Sequence, residues 1–214
     1  MTRLPLLFLL VLSALARAEI HSDPEAVRPL LPGMQAPAFT LATPSGEAVS
    51  FTPGEHGKPV ILTFYRGGWC PYCNLHLAEL RKAESELKGL GFDVWFISPD
   101  RPELLAEGDS DEFDYVLLSD AGMKVAEDFG IAFRVDAETL QRYRGVGIDL
   151  ADRSGAAHGA LPAPATYLIG TDGTIQFAFV NPDYTVRLAP EVLLAAARAY
   201  IEEAHARLQR ARSQ

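Results

Sequence analysis

The chain has two cysteines among 214 residues, Cys70 and Cys73, separated by two residues. Two thiols at that spacing can exchange electrons as a dithiol and disulfide, share a metal ion, or form a fixed bridge. A bridge closing so short a loop removes little chain entropy and is a weak staple. One that stabilises little is better suited to being made and broken, so redox chemistry is the leading expectation. Thiol exchange needs a thiolate to attack and a second thiol close enough to resolve the mixed disulfide. His76, three residues beyond Cys73, extends the pattern to C-x-x-C-x-x-H. Soft thiolates with an imidazole suit copper or zinc, with the distant His158 as the further ligand such a site would need. The blander expectation for His76 is a solvated helix histidine, and no metal is assigned.

The elements that must position the sulfurs can be read around them. Val60-Ile61-Leu62-Thr63-Phe64-Tyr65 is a continuous apolar, β-rich run, the signature of a strand covered on both faces. After the cysteines, Leu75, Leu77, Leu80, Leu87 and Leu90 recur among charges, predicting a helix to about Leu90. A strand feeding a helix through the Gly67-Gly68 turn puts both sulfurs in the first helical turn. There the unpaired N–H groups and the helix dipole favour a thiolate. Pro71 fits the first helical position, where its missing N–H costs nothing.

The remaining chain predicts one α/β domain over residues 19–214. Ala38–Leu41 and Glu47–Phe51 form a hairpin about Pro44-Ser45-Gly46. Phe92–Ser98 follows the helix to complete a βαβ unit with parallel strands. Residues 101–108 make a short helix, 115–118 a strand and 121–129 a further short helix. Glu19–Pro32 is expected to lie extended on the surface, and His56 to be an exposed loop histidine. The acidic loop at Asp111, Glu112 and Asp114 is expected to be solvated. The glycine-rich stretch 135–159, with Arg142, Arg144, Arg153 and His158, is expected to pack beside or over the site. Asp172-Gly173 marks a second hairpin joining 166–169 to 174–180. A terminal helix from Pro190 carries an apolar stripe through Val192, Leu193, Ala196, Tyr200, Ile201, Ala204 and Leu208.

Residues 1–18 predict a secretory signal peptide: Arg3, an apolar run Leu4–Leu15, and Ala16-Arg17-Ala18 as the cleavage site. Its removal moves the formal charge from −9 to −11. So acidic a product is a poor nucleic-acid binder. The expectation is an exported protein, periplasmic or extracellular, without stable membrane contact after cleavage.

Trp69-Cys70-Pro71-Tyr72-Cys73 resembles thioredoxin and glutaredoxin active sites. Ala163-Pro164-Ala165-Thr166 is similar to the segment of that superfamily in which a cis-proline faces the cysteines. Gly33–Leu41, Phe64-Tyr65 and Phe129–Ala132 resemble peroxiredoxins of the alkyl hydroperoxide reductase and thiol-specific antioxidant group, from Gly33 to the C-terminus. The resemblance implies a thioredoxin-like α/β fold with a central mixed sheet flanked by helices. It implies a thiol-dependent oxidoreductase reducing hydroperoxides through Cys70 and Cys73, recycled by a thioredoxin-type or other thiol donor. The cysteines carry the electrons, so no organic cofactor is implied. Arg66, Trp69, Pro71 and Pro164 are the supporting residues.

The sequence departs from the peroxiredoxin pattern of proline, then threonine or serine, then cysteine. With Cys73 at the peroxide-attacking position, Arg66 replaces the proline and Cys70 the hydroxyl residue. Pro164 stands about where the distant arginine belongs, leaving Arg66, Arg134 or Arg144 as substitutes. In peroxidase chemistry Cys73 would attack and Cys70 would capture the sulfenic acid. In thioredoxin-like chemistry Cys70 would be the exposed nucleophile and Cys73 the resolving thiol. The alternative function is therefore a thiol-disulfide oxidoreductase acting on protein or glutathione disulfides, without peroxidase activity.

Overall fold

The computed structural model describes residues 19–105 and 115–212. The expected leader, the acidic loop 111–114 and the side chain of Leu208 lie outside the described residues.

The strands are β1 (Phe39–Ala42), β2 (Ala48–Phe51), β3 (Val60–Phe64), β4 (Asp93–Ser98), β5 (Val116–Ser119), β6 (Ala132–Arg134), β7 (Ala160–Pro162), β8 (Ala165–Ile169) and β9 (Ile175–Val180). The helices are α1 (Pro71–Gly89), α2 (Pro102–Leu105), α3 (Lys124–Asp128), α4 (Ala137–Gly145), α5 (Leu150–Ser154) and α6 (Pro190–Arg212). Seven strands form one mixed sheet in the order β2-β1-β5-β4-β3-β8-β9, and β6 pairs with β7 beside it. The expected parallel pair is β3 and β4, in register from Val60 opposite Asp93 to Phe64 opposite Ile97. Both expected hairpins are present, β1–β2 and β8–β9.

Every residue of β3 is buried, and its two sets of side chains serve different cores. Val60, Leu62 and Phe64 join Trp95, Ile97, Val125, Phe129 and Leu150 on one face. Ile61 and Tyr65 join Leu80, Leu87, Phe96, Leu193 and Ala197 under α1 and α6 on the other. Strand alternation thus explains a run whose single polar residue, Thr63, is buried and hydrogen-bonded to Thr166. Both sulfurs belong to the second core, at the edge where β3 hands over to α1.

Several expectations change. Glu19–Pro32 keeps to the surface as expected but is not extended throughout, turning at Pro24–Ala26, and it is stitched to the fold: Arg28 N–H donates to the Gly130 carbonyl and Leu30 N–H to that of Phe129, at 2.9 and 3.1 Å. His56 is half-buried, its Nε2 2.8 Å from Asp93 Oδ2. Leu75 and Val192 are 60% and 48% exposed, so neither belongs to its helix's buried stripe. The stretch 135–159 supplies α4 and α5 and covers the site, as expected, and it is bracketed by the β6–β7 pair.

Candidate active site

Between β3 and α1 the chain must turn sharply and end at a helix start. Gly67 makes the turn with φ of +140°, a conformation side chains rarely adopt. A Cβ there would lie 2.3 Å from Trp69 Nε1 and 2.9 Å from Asp100 Oδ2. Asp100, at the end of β4, is 1% exposed and accepts from Gly68 N–H at 2.8 Å. Its carboxylate also pairs with Arg153 of α5, Nε to Oδ1 and Nη2 to Oδ2, both at 2.9 Å. The buried carboxylate therefore ties the turn to the covering segment.

Cys70 is the N-cap of α1, with φ −91° and ψ 113°, and Pro71 opens the helix. The Cys70 carbonyl accepts from the N–H groups of Cys73 and Asn74 at 3.0 and 3.1 Å. Both cysteines are free thiols, at 1% and 0% exposure. Cys70 is thus not the exposed nucleophile expected, because Trp69, Tyr65 and the covering segment close over the helix start. The Cys70 thiol is pulled down to about 6. The hydrogen bond from the Cys73 thiol is the largest cause, opposed by burial and aided by Arg66 and Arg187. Cys73 is pushed up, because it is the donor in that bond and is deeply buried. The two thiols share a proton through their hydrogen bond, which favours negative charge on Cys70 over Cys73.

Two arginines attend the sulfurs. Arg187, in the loop before α6, places Nη2 3.4 Å from Cys73 Sγ. Its Nε and Nη1 are buried and have no partner among the described residues. Arg66 is 4% exposed, with its guanidinium carbon 4.0 Å from the Tyr184 ring centre, 5.3 Å from Trp69 and 5.7 Å from Tyr143. It also donates from Nη2 to the Tyr143 hydroxyl. A cation enclosed by aromatic faces is stabilised without a carboxylate. Tyr143 comes from α4, so the covering segment reaches the site through this residue as well. Trp69 packs on Tyr143 with ring centres 5.3 Å apart, and Tyr72, 46% exposed, meets Tyr184 edge-on.

Of the other two arginines considered, Arg134 lines the same cavity as Arg66. Arg134 donates to the His158 carbonyl at 3.1 Å, and Arg144 is exposed. Pro164 lines a cavity of about 190 Å³ with Arg66, Tyr143 and Tyr184. No peptide bond is cis among the described residues, so the expected cis-proline is trans. His76 is 3% exposed, not solvated, and its Nε2 lies 3.1 Å from the Leu188 carbonyl, because α6 and its leading loop close over this face of α1. His158 Nε2 lies 3.1 Å from the Ala121 carbonyl. No group of three or more His, Cys, Asp or Glu residues able to hold a metal occurs among the described residues.

Arg187, Tyr143, Tyr184 and Asp100 are the site residues that the sequence reading missed. Only Asp100 carried a local signal, closing the second strand of a βαβ unit, where open α/β sheets place their sites. The others come from loops and helices distant in sequence.

Comparison with known proteins agrees with this geometry. Residues 32–178 match the AhpC/TSA family. Over 106 residues the chain is 42% identical to the putative peroxiredoxin bcp of Haemophilus influenzae, covering 49% of this chain and 68% of that one. It is 30% identical over 150 residues to the chloroplastic peroxiredoxin Q of Gentiana triflora, covering 70% and 58%. Among solved structures, peroxidoxin BcpB of Mycobacterium tuberculosis superposes with a TM-score of 0.59 at 23% identity, covering 78% of this chain and 96% of that one. The bacterioferritin comigratory protein of Xanthomonas campestris gives 0.60 at 15%, covering 82% and 99%. These two superpositions establish the thioredoxin-like peroxiredoxin fold. The chain belongs to the AhpC/TSA family and is a thiol-dependent peroxidase whose two thiols lie within one helical turn.

Proposed function

We propose that the protein reduces hydroperoxides with Cys70 as the attacking sulfur and Cys73 as the resolving thiol. The carrying observation is the place of Cys70 at the N-cap of α1, where the helix terminus, the hydrogen bond from the Cys73 thiol and the Arg66 and Arg187 charges all favour the thiolate that attack needs. The Cys70 thiolate attacks the outer peroxide oxygen and the O–O bond breaks. The departing alkoxide takes the proton from the adjacent Cys73 thiol and leaves as an alcohol. Cys73, now a thiolate beside the Arg187 guanidinium, attacks the Cys70 sulfenic acid. Hydroxide leaves, taking a proton from solvent, and the Cys70–Cys73 disulfide forms. A thioredoxin-type dithiol donor returns two electrons and two protons: one proton restores the Cys73 thiol and the other replaces the one that the hydroxide took from solvent, leaving Cys70 as the thiolate.

Trapping sulfenic acid with dimedone distinguishes the steps. Cys73→Ser should accumulate the adduct on Cys70, while the wild type passes to the disulfide. The contact of Arg187 with Cys73 favours a second reading, in which Cys73 attacks first. An adduct on Cys73 in Cys70→Ser, with none on Cys70 in Cys73→Ser, would establish that order. A wild-type protein that consumes no peroxide yet exchanges quickly with disulfides would end the peroxidase reading altogether.

We further propose that residues 19–214 form the mature, exported domain, on the basis of the charged start, apolar run and small-residue site in residues 1–18. Intact-mass measurement on the secreted or periplasmic fraction tests this, and a chain that does not begin at Glu19 refutes the cleavage site.

A further inference from the structure

His76 has no part in the chemistry above, although it lies one helical turn beyond Cys73 on α1 and is 97% buried. Its Nε2 is 3.1 Å from the Leu188 carbonyl. A carbonyl only accepts, so Nε2 carries the proton and donates. Nδ1 has no partner among the described residues. Burial, with Arg187 as a smaller cause, pulls the imidazole down to about 4, so the ring stays neutral across physiological pH. Leu188 follows Arg187, whose Nη2 reaches Cys73 Sγ at 3.4 Å. The segment 181–189 contains no helix or strand before α6 begins at Pro190. The described bonds of its first half run to Pro164 and within the segment itself.

We infer that His76 is a positioning residue: by holding the Leu188 carbonyl it fixes the neighbouring Arg187 guanidinium on the sulfur of Cys73. The inference rests on Cys73 being one of the two reacting sulfurs. A loop carrying a long, cationic side chain samples many rotamers unless its backbone is tied. The tie comes from the helix that carries the sulfur, so donor and acceptor move together. A histidine suits this role better than a lysine or arginine, because a neutral donor adds no second charge beside Arg187.

The test is a double-substitution cycle on His76 and Arg187 in the full chain. In the Cys70→Ser background, the pH profile of iodoacetamide alkylation reads the proton affinity of Cys73 without peroxide. Failure of the peroxidase reading therefore leaves this measurement intact. His76→Phe should raise the proton affinity of Cys73 severalfold, and Arg187→Ala should raise it at least as much. His76→Phe added to Arg187→Ala should then change nothing further, because the histidine acts through the arginine. In the otherwise wild-type chain, disulfide closure after sulfenic acid formation should slow about tenfold in His76→Phe. His76→Gln, whose amide can reach the same carbonyl, should recover most of that rate. His76→Asn, too short to reach, carries the same prediction if the phenylalanine variant does not fold. Independent, additive effects of the two substitutions would overturn the inference. So would an unchanged Cys73 profile in a folded His76 variant.

Discussion

Replacing Cys73 with alanine should return much of the missing proton affinity to Cys70. In the wild type the Cys70 thiol is drawn from 9.0 to about 6, roughly a thousandfold in proton affinity. At pH 7 that separates about nine thiolates in ten from about one in a hundred. The Cys73 thiol is the largest cause, ahead of the Arg66 and Arg187 charges. Its removal should raise the Cys70 midpoint by at least about one pH unit, a tenfold weaker acid. The assay is the rate of iodoacetamide alkylation between pH 4 and 10, with unfolding midpoints confirming that each variant is folded. Cys73→Ser, whose hydroxyl can still donate, should fall between alanine and wild type. The depression also makes reduced-state stability depend on pH. The thiolate contributes fully above 9.0, and the contribution is lost as pH falls through about 6. A midpoint that stays near 6 in Cys73→Ala would refute the shared proton. It would leave the helix terminus and the arginines as the source of the thiolate.

Three further outcomes follow from the turn and the buried carboxylates. Gly67→Ala should cost about 1–3 kcal/mol in urea unfolding and slow peroxide consumption, because its Cβ would collide with Trp69 in a backbone conformation already strained for alanine. Asp100→Ala should cost about 3–5 kcal/mol, since it breaks a buried ion pair with Arg153 and removes the acceptor of the Gly68 N–H, whereas an exposed ion pair would cost under about 1 kcal/mol. Asp120 is pushed by burial from 3.8 up to about 7 while accepting from the N–H groups of Val125 and Ala126. A carboxyl raised in the folded state contributes stability below about 3.8 that is lost as pH rises through about 7. Asp120→Asn should therefore flatten the pH dependence of chemical unfolding across that window, and an unchanged slope would refute the assignment.

The site divides by sequence distance into what could and could not be read. Gly67 through Asn74 is local: a strand, a glycine turn, an N-cap and a proline at the first helical position. Each leaves its mark within ten residues. Arg187 lies 114 residues from Cys73 and reaches it only because the loop before α6 folds back over α1. His76 shows the same limit from the other side. Its helical position was legible, but its burial depends on Leu188, which follows 112 residues later.

The two departures from the peroxiredoxin pattern become intelligible together. Where the family carries a hydroxyl one turn before its cysteine, this chain carries Cys70, so both sulfurs sit at one helix start. Cys70, extended at the N-cap, and Cys73 in the first turn bring their thiols within hydrogen-bond reach of one another, which places the pair for a disulfide. Where the family has proline, Arg66 adds a positive charge beside the new thiolate. The substituted pair therefore replaces a hydroxyl that would only donate a hydrogen bond with a thiol able to hold the charge, and supplies a cation to stabilise it. Aromatic faces of Trp69, Tyr143 and Tyr184 keep that cation in place without a carboxylate, which would have raised the proton affinity of Cys70. This accounts for two tyrosines from distant segments converging on one arginine.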